Sequence, residues 1–548
     1  MKSSEPSPSS KRARRPAKSR DRLLGISSSW RALAWTLGVA LLLGTVSYQC
    51  VQWVAARGYT LYYGDAEAHL NIARRILDTR TPNGEQVGTV WLPAPHALML
   101  PFVGNDSLWR SGLAGAIPAA ICFVLAGCLL FDLTRRALGS ATAALTATAL
   151  FALNPNMLYL QSIPMTEAVF FAGLLGLLHA TVWHAQADSK ISAWFAALSG
   201  AGFATLASMS RYEGWFLLPF AALFFCFGPR GSFVRASVFS LLAALGPLAW
   251  LAHNWWYWGD PLEFYRGQWS AAGIYKHQLE AGMSAYPGDH DWAKAILYYR
   301  TAVTLVVGTP LALLGVAGFF AAFWKRAWWI AGFLALGPLF YVWSMHSSGT
   351  PIFIPTLWPN SYYNTRYALA FLPLAAFGGA ALVSLVSPRG RPFVALAAVG
   401  LALIPWIARP REDAWVCFKE SQVNSDKRRA WTHEAAAYLK AHYQQGSGIL
   451  MPFGDMTAVL REAGIPLRDS LHEGNHPAFE SILARPELFL NTGWALAFSG
   501  DPIATALLRA DKRGKHYRCV RTIAISGAPV VEIYRRDWIP PEAKETEP

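Results

Sequence analysis

A series of apolar runs, each about 17–25 residues long, constrains this chain more than any other feature, because that is the length of helix that crosses bilayer hydrocarbon. Eleven runs are legible, at about 32–55, 112–132, 140–158, 166–184, 192–209, 214–228, 234–257, 302–324, 327–345, 367–386 and 392–408. Lipid offers no partner to backbone N–H and C=O groups, so each run must satisfy its own as a helix. The expected fold is therefore a polytopic α-helical membrane protein. Composition agrees. Of 548 residues 53% are hydrophobic and only 15% are charged, too few for a soluble surface of this size. Amphipathic rings settle at lipid–water interfaces, and the chain has 24 Trp and 20 Tyr to place there.

The net charge of +14 does not point to nucleic acid. Nine basic residues fall in the first 31 positions, among them Lys11, Arg12, Arg14, Arg15, Lys18, Arg20 and Arg22. Residues 1–31 read as a disordered basic tail that holds the N-terminus in the cytoplasm beside anionic lipid. The apolar run behind it is long and lacks a clear small-residue cleavage site, which favours an uncleaved first span over a signal peptide. Short loops carrying Arg135–Arg136, Lys190, Arg230 with Arg235, Lys325–Arg326, and Arg389 with Arg391 then fall on the cytoplasmic side. The alternate turns, around Asn154–Thr166 and Arg211–Gly214, hold almost no Lys or Arg. An odd number of spans leaves the C-terminus outside. This organisation gives a multi-pass plasma-membrane protein with a transmembrane domain at 32–409 and outer loops at 57–111, 259–300 and 346–366. An extracytoplasmic α/β domain follows at 410–548. In that domain helices are expected at 427–444 and 501–510, and strands at 448–453, 488–498, 517–526 and 530–534. Cys417 and Cys519 both lie there, and either a disulfide or two free thiols fits the sequence.

The spans hold almost no charge at mid-depth, which counts against an ion or solute pathway. Ionisable residues gather at the outer ends of spans instead. In Tyr62–Leu77, Ala66, Leu70, Ala73 and Leu77 share one helical face, so the segment is expected along the interface with Asp65 at its start. Capping of helix amides is the plain alternative for Asp65, and the two roles are compatible. Glu67 follows two residues later. Trp91–His96 stiffens the same loop with two prolines before His96, a residue that fits a phosphate contact, a metal ligand or a hydrogen-bonded surface position. Thr166–Glu167 opens the fourth span, where capping is again ordinary. Arg211–Tyr212–Glu213 occupies an outer turn, from which an Arg can also snorkel to lipid phosphate. Tyr362–Tyr363–Asn364–Thr365–Arg366–Tyr367 leads into the tenth span. Asp65, His96, Glu167, Arg211 and Arg366 thus sit on one side at similar depth.

These pieces resemble the GT-C superfamily of membrane glycosyltransferases, in particular the family 39-like branch with protein O-mannosyltransferases and lipid A aminoarabinose transferases. The matching stretches are Gly64–Glu67, Pro93–Pro101 with His96, Pro164–Glu167, Arg211–Glu213 and Asn364–Tyr367, across roughly residues 32–410. The resemblance implies a polyprenyl- or dolichyl-phosphate sugar donor and a first-loop aspartate, Asp65, as general base. It makes Asp65, Glu67 and Glu167 the candidate catalytic acids. His96, Arg211, Tyr212, Tyr363 and Arg366 become candidates for the donor phosphate and lipid. Glu167 either orients the acceptor or holds a divalent cation; no other cofactor is implied. The partners expected are the lipid-linked sugar, membrane lipid, and a protein, lipid or glycan acceptor, with no nucleic acid. Two departures leave sugar and acceptor open: Asp–Ala–Glu replaces the adjacent acids of the mannosyltransferases, and the His96 segment is not His–Pro–Pro. The alternative function is a transporter or flippase, and Pro247, Pro310 and Pro338 within spans are its main support.

Overall fold

The computed structural model describes residues 28–409, 414–454, 456–511 and 516–537. The basic tail expected at 1–31 falls almost wholly outside them. The first span is α1 (Ser28–Ala56). The long segment after it carries α2 (Gly64–Leu77), a 3-10 turn at Gly84–Val87, α3 (Ala94–Val103) and α4 (Asp106–Ser111), joined by irregular chain. The bundle continues through α5 (Leu113–Leu138), α6 (Ala141–Ala152), the short α7 (Pro155–Leu160), α8 (Glu167–Gln186), α9 (Lys190–Ser208), α10 (Glu213–Phe227) and α11 (Phe233–Trp258). The second outer segment holds α12 (Glu263–Arg266) and α13 (Ala271–Glu280). The remaining membrane helices are α14 (Trp292–Val303), α15 (Thr309–Trp324), α16 (Trp328–Ser347), α17 (Leu372–Leu385) and α18 (Arg391–Ala408).

Among the described residues nine helical stretches are long and apolar enough to span a membrane. They coincide with nine of the eleven expected runs. The other two are shorter helices, α6 with 12 residues and α10 with 15. The run at 140–158 is broken by Asn154–Pro155. The Asn154 side chain caps α7 by accepting from the amides of Asn156 and Met157, and Pro155 sits where a helix needs no N–H. Asn154 and Asn156 also donate to the carbonyl of Val306, at 3.0 and 2.9 Å. Val306 lies in a π-helical segment, Thr304–Gly308, that joins α14 to α15. The break in one helix thus supplies donors to the irregular turn of another. Because α14 runs into that segment, the helix starts at Trp292, ten residues before the expected 302.

The three long segments and the C-terminal domain share one face of the bundle. Tyr212 joins the first two, donating to the carbonyl of Val90 at 2.7 Å while its ring stacks on Phe264. The third is pinned by a bridge between Phe353 and Tyr363.

The helix expected at 427–444 is α19 (Val416–His442), which starts eleven residues earlier. Its first turn lies within the membrane-domain core, where Phe418 packs on Tyr59 and Tyr159 and the amide of Cys417 donates to Asn156 Oδ1. Then come β1 (Ile449–Leu450), α20 (Thr457–Ala463), β2 (Ser470–Leu471), α21 (Ala478–Ala484), α22 (Pro486–Phe489), β3 (Trp494–Phe498), α23 (Pro502–Asp511), β4 (Tyr517–Ile523) and β5 (Val531–Arg536). The sheet order is β2-β1-β3-β5-β4, parallel around β1 and antiparallel from β3 onward. The run expected as a strand at 488–498 splits into the end of α22 and β3, because Pro486 starts a helical turn. The two-residue β2 is too short to leave a periodic signal. Cys417 is buried, Cys519 is exposed, and both are free thiols.

The domain is fastened to α2 along its length. Arg461 contacts Glu67 at 2.9 Å and Arg428 approaches it to 3.7 Å. Asp78 accepts from the amide of Leu467 and from Arg468, and Gln86 donates to the carbonyl of Gly474 at 2.6 Å.

Candidate active site

Asp65 is the second residue of α2. The N-cap is Tyr63, and no side chain caps that end. The carboxylate goes instead to Arg366, whose terminal nitrogen donates to it at 2.5 Å. Arg366 is held in the first turn of a 3-10 segment, Thr365–Phe371, that leads into α17. Its other terminal nitrogen donates to the Tyr63 hydroxyl at 2.8 Å, and its Nε faces Glu167 Oε1 at 3.2 Å. The rings of Tyr63 and Tyr367 each lie 5.0 Å from the guanidinium carbon.

Glu167, first residue of α8, stands between both arginines. Its Oε1 accepts from Arg211 at 2.9 Å, while its buried Oε2 has no hydrogen-bond partner among the described residues. Thr166 does not cap α8; its hydroxyl accepts from Arg211. Arg211 also donates to Glu213 at 2.6 Å and to the Tyr341 hydroxyl at 2.6 Å. Four of its five N–H groups are therefore used, whereas Arg366 hydrogen-bonds through one N–H on each terminal nitrogen and its Nε meets Glu167 as an ion pair only.

Sequence reasoning missed three members of this cluster, Tyr63, Tyr341 and Glu420. Glu420, from the first turns of α19, accepts from the amides of Asn364 (2.8 Å) and Thr365 (2.9 Å), from the Thr365 hydroxyl, and from Tyr63. The cluster therefore holds four carboxylates, Asp65, Glu167, Glu213 and Glu420, against two guanidiniums, a formal balance of −2. Buried charge of this density is tolerated only because every acid meets a cation or several donors. Asp65 differs from the rest: its side chain is 35% exposed, against 4%, 5% and 3% for Glu167, Glu213 and Glu420. It is the carboxylate that an incoming molecule reaches.

The other candidates stand elsewhere. Glu67, two residues from Asp65, points to the opposite side of α2 and is consumed by the seam with Arg461 and Arg428. Tyr212 is turned to Val90 and accepts from Trp250, so it braces loops and is absent from the arginine cluster. Tyr363 is half-exposed beside the site, and burial of its hydroxyl, with Tyr367 and Asp65 nearby, pushes its phenol up to about 12. His96 is no surface residue. It is fully buried, and its Nε2 lies 2.9 Å from Nδ1 of His69, whose ring rests on Trp91. Desolvation, reinforced by Arg366 and Arg211, pushes His69 down to about 3, and desolvation likewise depresses His96 well below the ordinary histidine range. Both imidazoles are neutral at ordinary pH. Among the described residues no three His, Cys, Asp or Glu side chains converge as metal ligands. Glu167 is engaged by two arginines, so the residues present do not fit a divalent cation there.

A cavity of about 360 Å³ opens away from this cluster, at the far end of α2, and is lined by Arg74, Asp106, Arg110, Lys440 and Arg468. The C-terminal ends of α2, α19 and α20 lie beside it, and basic side chains there complement the negative ends of helices. Its charge is explained by the fold.

Sequence and structure comparisons follow the same lines. A family described as dolichyl-phosphate-mannose-protein mannosyltransferase matches residues 108–258. No curated protein matches the chain in sequence. Among solved structures, ArnT from Cupriavidus metallidurans bound to undecaprenyl phosphate is similar over 93% of this chain and 98% of its own, with a TM-score of 0.55 and 12% identity. The same protein in the apo state gives 92%, 98%, 0.54 and 12%. At that identity the likeness is one of fold: the chain has the fold of ArnT.

Proposed function

We propose that this protein is an integral membrane glycosyltransferase. It transfers a sugar from a polyprenyl-phosphate donor to an acceptor hydroxyl at the extracytoplasmic face of the plasma membrane, with inversion, and Asp65 is the general base. The observation that carries this reading is the contact between Asp65 and Arg366: a reachable carboxylate against a guanidinium with N–H groups to spare. The partial match to the mannosyltransferase family and the fold shared with a protein that binds undecaprenyl phosphate support the donor class.

In this mechanism the acceptor oxygen attacks the anomeric carbon as the bond from that carbon to the phosphate oxygen breaks. The proton of the acceptor passes to Asp65, a step for which a positioned base contributes about 10²–10⁴-fold. The charge left on the phosphate is met by Arg366 through charge-assisted hydrogen bonds. The N–H left on each terminal nitrogen of Arg366 lets it meet the phosphate while it still holds Asp65. Arg211, with four of its five N–H groups already engaged, orients Glu167 beside the pair.

The test uses purified protein with polyprenyl-phosphate sugars and a panel of hydroxyl acceptors. Asp65→Asn, folded as the wild type, is expected to lose at least about 10²-fold in transfer rate. Near-wild-type transfer by that variant would exclude Asp65 as the base.

A further inference from the structure

Glu420 is 2% exposed, yet its carboxylate receives four donors. Two are the consecutive amides of Asn364 and Thr365, immediately before Arg366. Asn364 has φ +56°, in the left-handed region that asparagine enters more readily than other residues with a side chain. The third donor is the Thr365 hydroxyl. The fourth is Tyr63, whose oxygen also accepts from Arg366. Glu420 itself stays 3.9 Å from the guanidinium, too far to hydrogen-bond. Every contact it makes is thus with groups that set where Arg366 stands. Tyr63 adjoins Gly64 and Asp65, so one carboxylate ties together both strands of chain that carry the Asp65–Arg366 pair. It comes from α19, beyond the last membrane helix.

We propose that Glu420 is a positioning residue of the site: carried on the C-terminal segment, it fixes the Asn364–Thr365 turn and the Tyr63 hydroxyl and so aims Arg366 at Asp65 and at the phosphate of the lipid donor. The inference rests on the proposed donor class only for its functional readout. Glu420→Gln keeps size but places an amide N–H against backbone N–H groups. Loss of hydrogen bonds to a buried charge of this kind weakens an interaction by about 10- to 100-fold.

The experiment uses the full chain in detergent, with undecaprenyl phosphate as the probe. Glu420→Gln is expected to weaken lipid binding about 10- to 100-fold. In an Arg366→Lys background the same change should cost less than about threefold, because residues acting through one another do not add. A merely structural Glu420 would show its full cost in both backgrounds, and that result, or unchanged binding by Glu420→Gln, overturns the proposal. Should Glu420→Gln not fold, Thr365→Val removes one of the four bonds and is expected to show the same coupling to Arg366. Hydrogen exchange supplies a readout without ligand. The Thr365 amide should exchange at least about tenfold faster in Glu420→Gln while the β3–β5 amides stay unchanged; an unaltered Thr365 amide overturns the proposal. If the wild type binds no undecaprenyl phosphate, the donor reading falls and the exchange measurement still decides the role of Glu420.

Discussion

Asp65 and Arg366 stand 301 positions apart and touch, and the sequence had placed each at the same level of the membrane without pairing them. Arg366→Lys retains the charge but loses the planar fork, which a point-charge ammonium cannot replace. Transfer is expected to fall about 10- to 100-fold, measured as kcat/KM at saturating lipid donor. A second expectation concerns acid. His69 and His472, both held at about 3, and His96, well below its ordinary value, are all kept neutral by burial. In the unfolded chain they take up protons below about pH 6.5, whereas the folded protein does not. The unfolded state therefore binds more protons between about pH 3 and 6.5, and stability falls as pH drops through that window. Melting temperature in detergent should decline from about pH 7 to pH 5, and His472→Gln should flatten the decline. A variant with the wild-type slope would assign the acid lability elsewhere. Asp65, Glu167, Arg211 and Arg366 were legible because polar residues at the ends of apolar runs announce themselves. Tyr63 and Tyr341 were not, since an interfacial tyrosine in a membrane protein is ordinary. Glu420 was not, because nothing in its surroundings in the sequence marks it as reaching back to residue 364.

Among the elements, the long apolar helices were the easiest to place and the short ones the hardest. Hydropathy registers an apolar run whether or not it is continuous helix, so the break at Asn154–Pro155 was absorbed into a single span. The α15–α17 pair shows what fixes a helix crossing in lipid, where close approach of backbones replaces the hydrophobic effect. A Cβ on Gly318 would lie 2.1 Å from the backbone of Gly378. Gly318→Val is expected to push the helices apart and to cost about 1–3 kcal/mol, seen as a lower melting temperature in detergent. A variant that melts with the wild type would show that α15 slides at no cost. The seam on α2 behaves as an element too. Glu67 is nearly buried between Arg461 and Arg428, and removing one partner of such a group costs about 3–5 kcal/mol. Glu67→Ala should therefore lower stability sharply. Asp65 lies on another side of the same helix, which is why two acids one residue apart in one motif have unlike roles.

For the whole molecule, the expectation of a helical membrane bundle with a small C-terminal sheet region holds. The helix α19 starts inside the bundle core before it enters the sheet domain. A chain ending at residue 409 leaves Glu67 and the Asn364–Thr365 amides without their partners and Asp78 with Arg74 alone. Such a truncation is expected to aggregate or to elute heterogeneously on size exclusion; a monodisperse truncation that still binds undecaprenyl phosphate would make the C-terminal part dispensable. The contact of Glu420 with Thr365 spans 55 positions, and its contact with Tyr63 spans 357. Time enters here. A ribosome adding about 5–20 residues each second delivers the two ends of the Asp65–Arg366 pair well before the carboxylate that orients them. Through that interval the nascent protein holds the charges of its site but not their arrangement. On the proposed reading, lipid donor already in the bilayer meets an ordered site only once α19 has been made and has folded back.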